Sequence, residues 1–313
     1  NIAVTGGSGL IGSQLKPYLT TAGHSVENIV RGRPQKGELS WNLENKTMSN
    51  LSGKDVVIHL AGEPISKPLG GMVPLPWTKW KRNEILKSRV EGTKLISEHI
   101  ASLNNPPKVM ICASAVGYYG DRGEDLLSES EESGDDYFSH VVSEWEKAAQ
   151  PAIDAGIRVV FLRIAPVMSP LGGALQVLGN AARLGSSPPV AGGKQWWSWI
   201  SLDDVVDVIY HSIINEKLSG PVNVASPNPV RQKEWASTLA KVIWGRFGPL
   251  TGLVPVPGFV FKSVLGEFGD VLALSSIKID SSKLLDSGYK FRFENLEDCF
   301  RHLLGKRTKE ELQ

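Results

Sequence analysis

Residues 2–12 read IAVTGGSGLIG, a short apolar run that leads into three glycines spaced G-x-x-G-x-x-G. Gly6 permits a tight turn, Gly9 lets a pyrophosphate approach the backbone, and Gly12 lets the following helix pack closely. The free N–H groups and the dipole of that helix favour phosphate groups. The stretch therefore predicts a dinucleotide site lined by Gly6, Gly9, Leu10, Ile11 and Gly12.

The first half of the chain alternates apolar, β-rich runs with helical patterns. The runs are residues 2–5, 26–30, 56–60, 109–113 and 159–164, and the helical patterns extend from about 10 to 22, 84 to 102 and 137 to 155. Such alternation is typical of βαβ units whose parallel sheet is covered on both faces. It predicts an α/β fold with a Rossmann-type doubly wound parallel sheet.

The alternating sequence pattern ends after Pro166, where prolines and glycines divide the chain into short segments. We expect residues 1–165 to form the dinucleotide-binding domain. Residues 200–225 are expected to rejoin it through a strand at 222–224.

The remaining segments predict a second, smaller C-terminal α/β lobe that binds substrate. It comprises residues 166–199 and 226–305, with a helix at about 233–244. Residues 306–313 are charged and are expected to be a frayed tail.

The residues after the second apolar run distinguish between the two nicotinamide dinucleotides. An NAD-preferring site usually carries Asp or Glu about 20 residues after the glycines. This chain has Arg31 and Arg33 there, and arginine makes charge-assisted, often bidentate contacts with a 2′-phosphate. NADP(H) is therefore the predicted cofactor, with a solvent-facing arginine as the alternative for either residue.

The composition points to a small-molecule partner. The 313 residues include 34 Lys and Arg against 33 Asp and Glu, with 41% hydrophobic residues, so the formal net charge is +1. This balance gives no basis for capture of nucleic acid or an anionic membrane. Cys112 and Cys299 lie far apart in apolar stretches, which predicts buried free thiols and no disulfide or metal site.

A cytoplasmic location is expected from the same features. No apolar run reaches the roughly 18 residues of a membrane span, and no basic leader precedes the first strand. The chain begins at Asn1 without Met, so an upstream targeting peptide or domain remains an alternative.

Further motifs carry a resemblance to a known family. They are His59-Leu60-Ala61-Gly62, Ser88-Arg89, Ala115-Val116-Gly117-Tyr118-Tyr119-Gly120 and Gly288-Tyr289-Lys290-Phe291. On these motifs the chain resembles the extended short-chain dehydrogenase/reductases, and within them the atypical epimerase family proteins of the 39U type, some once labelled cell-division inhibitors. The resemblance implies a substrate-binding C-terminal lobe, a homodimer, and an NADP site with contacts from Leu60, Ala61, Gly62 and Arg89.

The resemblance also implies a catalytic serine, tyrosine and lysine. In this superfamily the tyrosine exchanges a proton with the substrate oxygen, and a lysine one helical turn later lowers the tyrosine pKa from about 10. Ser114 and Tyr137 match the first two positions, but Val141 stands where the lysine should be. We therefore predict Ser114 and Tyr137 as catalytic residues, with a proton transfer that lacks its usual cation.

Other side chains are candidates for the substrate site. Tyr118 and Tyr119 could replace Tyr137, although packing above the cofactor explains them equally well. The resemblance puts an aromatic stretch over the cleft, where a flat wall suits an apolar or ring-bearing substrate; packing between lobes is the alternative. The substrate residues predicted on this basis are Tyr118, Gln195, Trp197 and Trp199.

Two more features have simpler explanations. Asp203 and Asp204 precede an apolar helical run, so we interpret them as a helix N-cap and a first-turn acid and not as a catalytic pair. Residues 70–77 are an insertion that forms either a lid over the substrate or a variable surface loop, with Trp77 as its anchor.

Three functions follow from these features. The leading prediction is an NADP(H)-dependent oxidoreductase that acts on a small carbonyl or alcohol. A nucleotide-sugar epimerase is the second, and it requires basic contacts for a diphosphate, for which Arg231, Lys233 and Lys262 are the candidates. The third, suggested by Val141, is a catalytically weak protein that senses NADP(H) or acts as a scaffold.

Overall fold

The described strands alternate with helices along most of the chain. The computed structural model describes residues 1–65, 76–245 and 269–306. The strands are β1 (Ile2–Thr5), β2 (Val26–Val30), β3 (Glu38–Asn42), β4 (Thr47–Met48), β5 (Val56–His59), β6 (Val109–Ala115), β7 (Leu126–Leu127), β8 (Arg158–Ile164), β9 (Val167–Met168), β10 (Trp196–Trp197), β11 (Ile200–Ser201), β12 (Gly220–Val224), β13 (Val230–Arg231) and β14 (Lys278–Ile279). The helices are α1 (Leu10–Thr21), α2 (Lys79–Ala101), α3 (Tyr137–Lys147), α4 (Gln150–Asp154), α5 (Gly173–Arg183), α6 (Leu202–Ile214), α7 (Gln232–Trp244), α8 (Ser282–Asp286) and α9 (Leu296–Leu303).

Eight strands form the main sheet, in the order β12-β8-β6-β5-β1-β2-β3-β4. Every neighbouring pair is parallel except β3 and β4, which pair antiparallel. The order runs outward in both directions from the adjacent strands β1 and β5, as in a doubly wound sheet. The predicted Rossmann-type α/β fold is confirmed, and β12 lies at the edge of the sheet beside β8.

Apolar layers cover both faces of this sheet. On one face, Leu15 and Leu19 of α1 and Val205 of α6 pack against the strands. On the other face, Ile96 of α2 and Ala152 of α4 do the same. Because both faces are buried, the central strands are almost continuously apolar, as parallel sheets require.

A third apolar cluster lies outside the sheet. It includes Trp199, Trp235 and Leu239 together with Cys299 and Phe300 of α9. Short strand pairs border it: β10 with β13, and β11 with β9. A further pair, β14 with β7, joins the C-terminal segment to the chain that follows β6.

Two helix boundaries differ from the sequence prediction. Helix α2 begins at Lys79 and not near Glu84, because the Thr78 hydroxyl caps it by accepting a 3.1 Å hydrogen bond from the Lys81 amide. The helix expected from 137 to 155 is two helices, α3 and α4. Pro151 has no N–H to continue the hydrogen-bond ladder of α3, and it lies in the first turn of α4, where that loss costs little.

The acid pair at the start of α6 is structural, with one correction. Ser201 is the N-cap: its hydroxyl accepts from the Asp204 amide at 2.9 Å. Asp203 and Asp204 both lie in the first turn, so the N-cap predicted at Asp203 was wrong by two residues.

The two cysteines behave as predicted, since Cys112 and Cys299 are both free and buried. Among the described residues, no group of three or more His, Cys, Asp and Glu side chains is arranged to hold a metal ion. None of the described helices combines the length and the apolar character needed to cross a bilayer.

Candidate functional site

The glycine loop lies at the carboxyl end of β1 and folds tightly against its neighbours. Gly6 has φ of 72°, and a Cβ there would lie 2.7 Å from the Leu60 carbonyl carbon. A Cβ on Gly12 would lie 2.7 Å from Gly7 Cα. Both positions therefore require glycine because of backbone conformation or backbone contact.

Gly9 differs, because few protein atoms surround it. It is exposed at the start of α1, and an added Cβ would meet only the Gly6 carbonyl oxygen, at 3.2 Å. The N-terminus of α1 is not capped by a side chain, so the amides of its first turn are open to an anion. This geometry fits the pyrophosphate of a dinucleotide.

The remaining residues predicted to hold the dinucleotide surround this loop. Leu10 and Ile11 are half-buried in the first turn of α1, and Leu10 lies against Gly172, where a Cβ would come within 3.3 Å of Leu10 Cδ1. Arg31 and Arg33 are exposed directly after β2. Since β2 pairs parallel with β1, the segment that carries both arginines leaves the sheet at the same edge as the glycine loop.

The segment after β5 is fixed by helix α2. The Glu63 amide donates to Ser88 Oγ at 3.0 Å, and Arg89 Nη1 donates to the Glu63 carbonyl oxygen at 3.0 Å. Arg89 lies under Gly62, where a Cβ would be 3.4 Å from the guanidinium carbon. Burial lowers the pKa of Arg89 to about 10. Leu60, Ala61, Gly62 and Arg89 are thus together at one place, at the carboxyl ends of β1 and β5.

Ser114 belongs to a buried polar cluster at the carboxyl ends of β6 and β8. Its hydroxyl donates a 2.6 Å hydrogen bond to Glu146 Oε1 of α3. Arg163 of β8 donates to both oxygens of that carboxylate, from Nε and from Nη2, each at 2.9 Å. The Arg163 side chain is 3% exposed and that of Glu146 is 12% exposed, so the ion pair is largely shielded from water.

Tyr137 is directed elsewhere. Its hydroxyl donates to the Arg82 carbonyl oxygen of α2 at 2.6 Å, and the Arg82 guanidinium carbon lies 4.0 Å from the centre of its ring. Trp77 also contacts this ring, with the ring centres 5.8 Å apart. The hydroxyls of Ser114 and Tyr137 therefore donate to different acceptors and do not form one site.

Helix geometry explains the separation. Tyr137 precedes Glu146 by nine residues, which is about half a turn around the helix and about 13 Å along its axis. On the side of α3 that carries Glu146 towards Ser114, Val142 and Ser139 lie one and two turns earlier, and both are buried. This side of α3 therefore carries neither a tyrosine nor a lysine, and Val141 is buried as well.

The two tyrosines after β6 have different environments. Tyr119 is fully buried, with its hydroxyl accepting from Arg163 Nη1 at 3.0 Å and donating to Asn223 Oδ1 at 2.7 Å. Burial raises its pKa to about 12. Tyr118 is half-buried, and the Arg163 guanidinium stacks on its ring at 3.5 Å. Of the two, only Tyr118 presents a surface to a ligand.

A cavity of about 280 Å³ lies beside the start of α3, close to the lower end of the range for small-molecule sites. Phe138 separates it from the turn at Gly117, where there is no room for a Cβ. The described lining includes two carboxylates and no lysine or arginine. It consists of Asp121, Asp136, Tyr137, Phe138, Val271, Leu274 and Ser275.

The predicted aromatic wall is mainly a packing element. Trp199 is fully buried in the third apolar cluster, and its Nε1 donates to the Asn228 carbonyl oxygen at 3.1 Å. Trp197 is half-buried and packs edge-on to Trp235, with ring centres 5.5 Å apart. The Gln195 amide donates to the Ala273 carbonyl oxygen at 2.6 Å, which holds the segment that lines the cavity.

The insertion at 70–77 is described only in its last two residues, and the rest of the proposed lid lies outside the described residues. Trp77 is described, and its Nε1 donates to the Ile65 carbonyl oxygen at 2.7 Å. His140 is exposed on α3.

Sequence reasoning missed Glu146, which is the partner of Ser114. One signal was available: Arg163 interrupts the apolar run at 159–164. A buried arginine requires a carboxylate partner. Asn223, whose side chain accepts a hydrogen bond from the Tyr119 hydroxyl, was also missed, because its partners are distant in sequence.

The sheet order, the glycine loop and the polar cluster at the carboxyl ends of the strands define a Rossmann-type protein of the extended short-chain dehydrogenase/reductase class. Residues 2–225 match the NAD dependent epimerase/dehydratase family, and residues 256–303 match a domain of unknown function, DUF1731. The chain belongs to the NAD dependent epimerase/dehydratase family.

Individual relatives agree with this assignment. Epimerase family protein YfhF of Bacillus subtilis is 33% identical over 314 residues, covering 98% of this chain and 99% of that protein. The crystal structure of human epimerase family protein SDR39U1 with NADPH is 28% identical, with a TM-score of 0.85 over 98% of this chain and 99% of that one. The predicted resemblance to epimerase family proteins of the 39U type is confirmed.

A longer solved protein is also similar. The nucleoside-diphosphate sugar epimerase from Corynebacterium glutamicum is 33% identical, with a TM-score of 0.78. The match covers 97% of this chain but only 58% of that chain.

Proposed function

We propose that this protein is an NADP(H)-dependent oxidoreductase for a small carbonyl or alcohol. The observation that carries the proposal is the uncapped start of α1 behind Gly9, with Arg31 and Arg33 exposed beside it. A dinucleotide pyrophosphate fits the former and a 2′-phosphate fits the latter. The human relative whose structure contains NADPH supports the same cofactor.

The glycine loop after β1 and the segment after β5 are proposed to hold this cofactor. The backbone of Gly6, Gly9 and Gly12 accommodates the pyrophosphate, and the segment Leu60–Gly62, fixed by Arg89, borders it. Bound NADP(H) supplies a hydride donor or acceptor. The chain's own residues bind and orient the small molecule: in the proposal Ser114 contacts it. Tyr137 and Phe138 line a cavity beside the start of α3.

The cofactor assignment is tested by fluorescence titration with NADPH and NADH. We expect the protein to bind NADPH at least about tenfold more tightly, because a bidentate arginine–phosphate contact is lost with NADH. Changing Arg31 and Arg33 together to Ser should remove this preference and leave the NADH affinity unchanged. Lys36→Ser, in the same exposed segment, serves as the matched control.

Equal affinity of the wild-type protein for both dinucleotides would overturn the cofactor assignment. The reaction is tested separately, by following NADPH oxidation with a panel of small neutral carbonyl compounds. If NADPH binds but no compound is reduced, the protein is not an oxidoreductase of this class.

A second function is favoured by one observation. No tyrosine–lysine pair faces Ser114 from α3, since Ser139 and Val142 lie on the side that carries Glu146. A protein that binds NADP(H) but reacts slowly, and whose bound state a partner recognises, fits this arrangement. NADPH binding without turnover in the carbonyl panel would support it.

Nucleotide-sugar epimerisation has less support. The similarity to a nucleoside-diphosphate sugar epimerase favours it, but a diphosphate requires cations. Arg231 is engaged by Glu124 through two hydrogen bonds of 2.9 and 2.8 Å, Lys233 is exposed, and Lys262 lies outside the described residues. The two carboxylates of the cavity also repel a diphosphate.

A further inference from the structure

The cavity beside the start of α3 is lined by two kinds of side chain. Phe138, Val271 and Leu274 are apolar, whereas Asp121 and Asp136 are carboxylates. An organic molecule in this cavity gains free energy by burying its apolar surface, but a polar group that it carries must find a partner there. The two carboxylates therefore determine which polar group is accepted.

The Asp136 carboxylate is fixed through one oxygen and available through the other. Its Oδ1 accepts from the Ser139 amide at 2.8 Å, as the N-cap of α3. Its Oδ2 accepts no hydrogen bond from the described residues and lies against Gly120, where a Cβ would be 3.1 Å away. The helix thus holds Asp136 in place and leaves Oδ2 to accept from a ligand.

Asp121 directly follows Gly120 and is held in the same way. Its Oδ1 accepts from the Gly123 amide at 3.2 Å and from the Ser276 amide at 3.1 Å. Within the described ranges, neither Asp121 nor Asp136 forms an ion pair. Two neighbouring carboxylates of the cavity are therefore not neutralised by a described lysine or arginine.

The chain between these two residues is itself strongly acidic. Residues 121–136 contain eight Asp and Glu against one Arg, a formal net charge of −7 in a chain of net charge +1. The one arginine, Arg122, donates to the carbonyl oxygens of Tyr119 and Glu132. A cleft bordered by charges of one sign concentrates ions of the opposite sign. The acidic segment should therefore attract cations to the cavity.

We propose that this cavity binds the ammonium group of a small organic cation, which Asp121 and Asp136 accept. The inference rests on the proposed function and names its substrate class, a carbonyl or alcohol compound that carries an amine. An ammonium group has three donors for carboxylate oxygens, whereas a ligand phosphate or carboxylate is repelled. A metal ion fits less well, because no third His, Cys, Asp or Glu of the described residues completes a ligand set.

The test compares three ring compounds of similar size and different charge. Cyclohexylamine is a cation at neutral pH, cyclohexanol is uncharged and cyclohexanecarboxylate is an anion. Dissociation constants are measured by NMR titration of the full chain at low ionic strength, with and without NADPH. We expect the cation to bind at least about tenfold more tightly than the alcohol, and the anion to bind most weakly. Added salt should reduce the advantage of the cation.

Two conservative variants remove the charges and keep the structural hydrogen bonds. In Asp136→Asn the amide oxygen can still accept from the Ser139 amide, since asparagine is also a good N-cap. In Asp121→Asn it can accept from the same two amides. Each variant should weaken the binding of cyclohexylamine about three- to tenfold, and together they should abolish its advantage over cyclohexanol. Unchanged cyclohexanol binding in these variants would show that the cavity is intact.

Asp135→Asn is the matched control. Asp135 is exposed and belongs to the same acidic segment, but it is not among the described residues that line the cavity. Its replacement removes the same charge and should change each dissociation constant by less than about twofold. A loss as large as that in Asp136→Asn would overturn the assignment of the ammonium group to the cavity.

Three further results would overturn the inference: binding of cyclohexanol or the anion as tight as that of the cation, an unchanged preference in the double variant, or no binding of any compound. None of these outcomes depends on hydride transfer. If NADPH reduces no carbonyl compound but the ammonium preference is found, only the proposed reaction fails. If neutral carbonyl compounds are reduced and cyclohexylamine is not preferred, only this inference fails.

Discussion

His59 is a buried, neutral residue directly beneath the glycine loop. It ends β5, and its Nδ1 is hydrogen-bonded to Thr5 Oγ1 of β1 at 2.7 Å. Its ring packs edge-on to Trp41, with centres 5.8 Å apart. Burial, and to a smaller extent the charge of Arg89, lower its pKa from 6.5 to about 3. The ends of β1 and β5 are thus joined through the His59 side chain, whose protonated form is disfavoured by burial.

This environment predicts a pH dependence of stability. Between pH 6.5 and about 3, the unfolded chain binds a proton at His59 that the native state does not. The contribution is fully present above pH 6.5 and is lost as the pH falls, amounting to about 5 kcal/mol at most. Urea unfolding of wild type and His59→Leu across this range should show a smaller decline for the variant. His140→Leu, at an exposed histidine, should follow the wild type; identical slopes for all three proteins would contradict the prediction.

Single residues differ in how far the sequence predicts them. The glycines at 6 and 12 are predictable because their requirement comes from the local backbone. The assignment of Tyr137 to the Ser114 site depended on the phase of α3, which sequence spacing alone does not define. Glu146 contacts residues that are 32 and 17 positions away, and such pairings are set by the packing of α3 on the sheet.

At the scale of elements, the first turn of α6 anchors the C-terminal segment. Asp204 is fully buried, and its Oδ1 accepts from the Tyr289 hydroxyl at 2.9 Å and from the Arg292 amide at 2.7 Å. Its Oδ2 accepts from Ser201 Oγ at 2.6 Å. Burial and the Asp204 carboxylate raise the pKa of Tyr289, which keeps this donor protonated. The carboxylate therefore joins α6 to the segment that precedes α9.

Asp204→Ala should destabilise the protein by about 3 kcal/mol, because several buried donors lose their acceptor. Asp203→Ala is the matched control on the same turn. Asp203 is 39% exposed and pairs with His302 at 3.2 Å, so its removal should cost less than about 1 kcal/mol. Denaturant unfolding measures both. Equal losses would show that Asp204 is an ordinary first-turn acid.

Elements with a strong apolar pattern were the predictable ones. The strands at 2–5 and 26–30 have the bounds expected, because such runs are specified by their own composition. Strand β3, Glu38–Asn42, was missed because its sequence ELSWN has only two apolar residues, and these are not adjacent. It forms because β2 offers a partner, which is a tertiary effect.

At the scale of the whole molecule, Asn223 connects the main sheet to the chain that surrounds it. It lies in β12 and is fully buried. Its amide nitrogen donates to the carbonyl oxygens of Leu127 at 3.0 Å and Asp280 at 2.9 Å, and its Oδ1 accepts from Tyr119. One side chain thereby joins β12, the strand pair of β7 with β14, and the turn after β6.

Asn223→Ala should lower the free energy of unfolding by about 3 kcal/mol, because three buried polar groups each lose a hydrogen bond. Since these groups belong to different parts of the chain, the loss should shift one cooperative transition as a whole. Tryptophan fluorescence reports on nine side chains that include members of both the sheet core and the third cluster, and circular dichroism reports on all helices and strands. The two curves should therefore remain superimposed at a lower midpoint. NADPH affinity at low denaturant should be unchanged, because the glycine loop lies across the sheet from β12. Two separated transitions would mean that part of the chain unfolds independently of the rest.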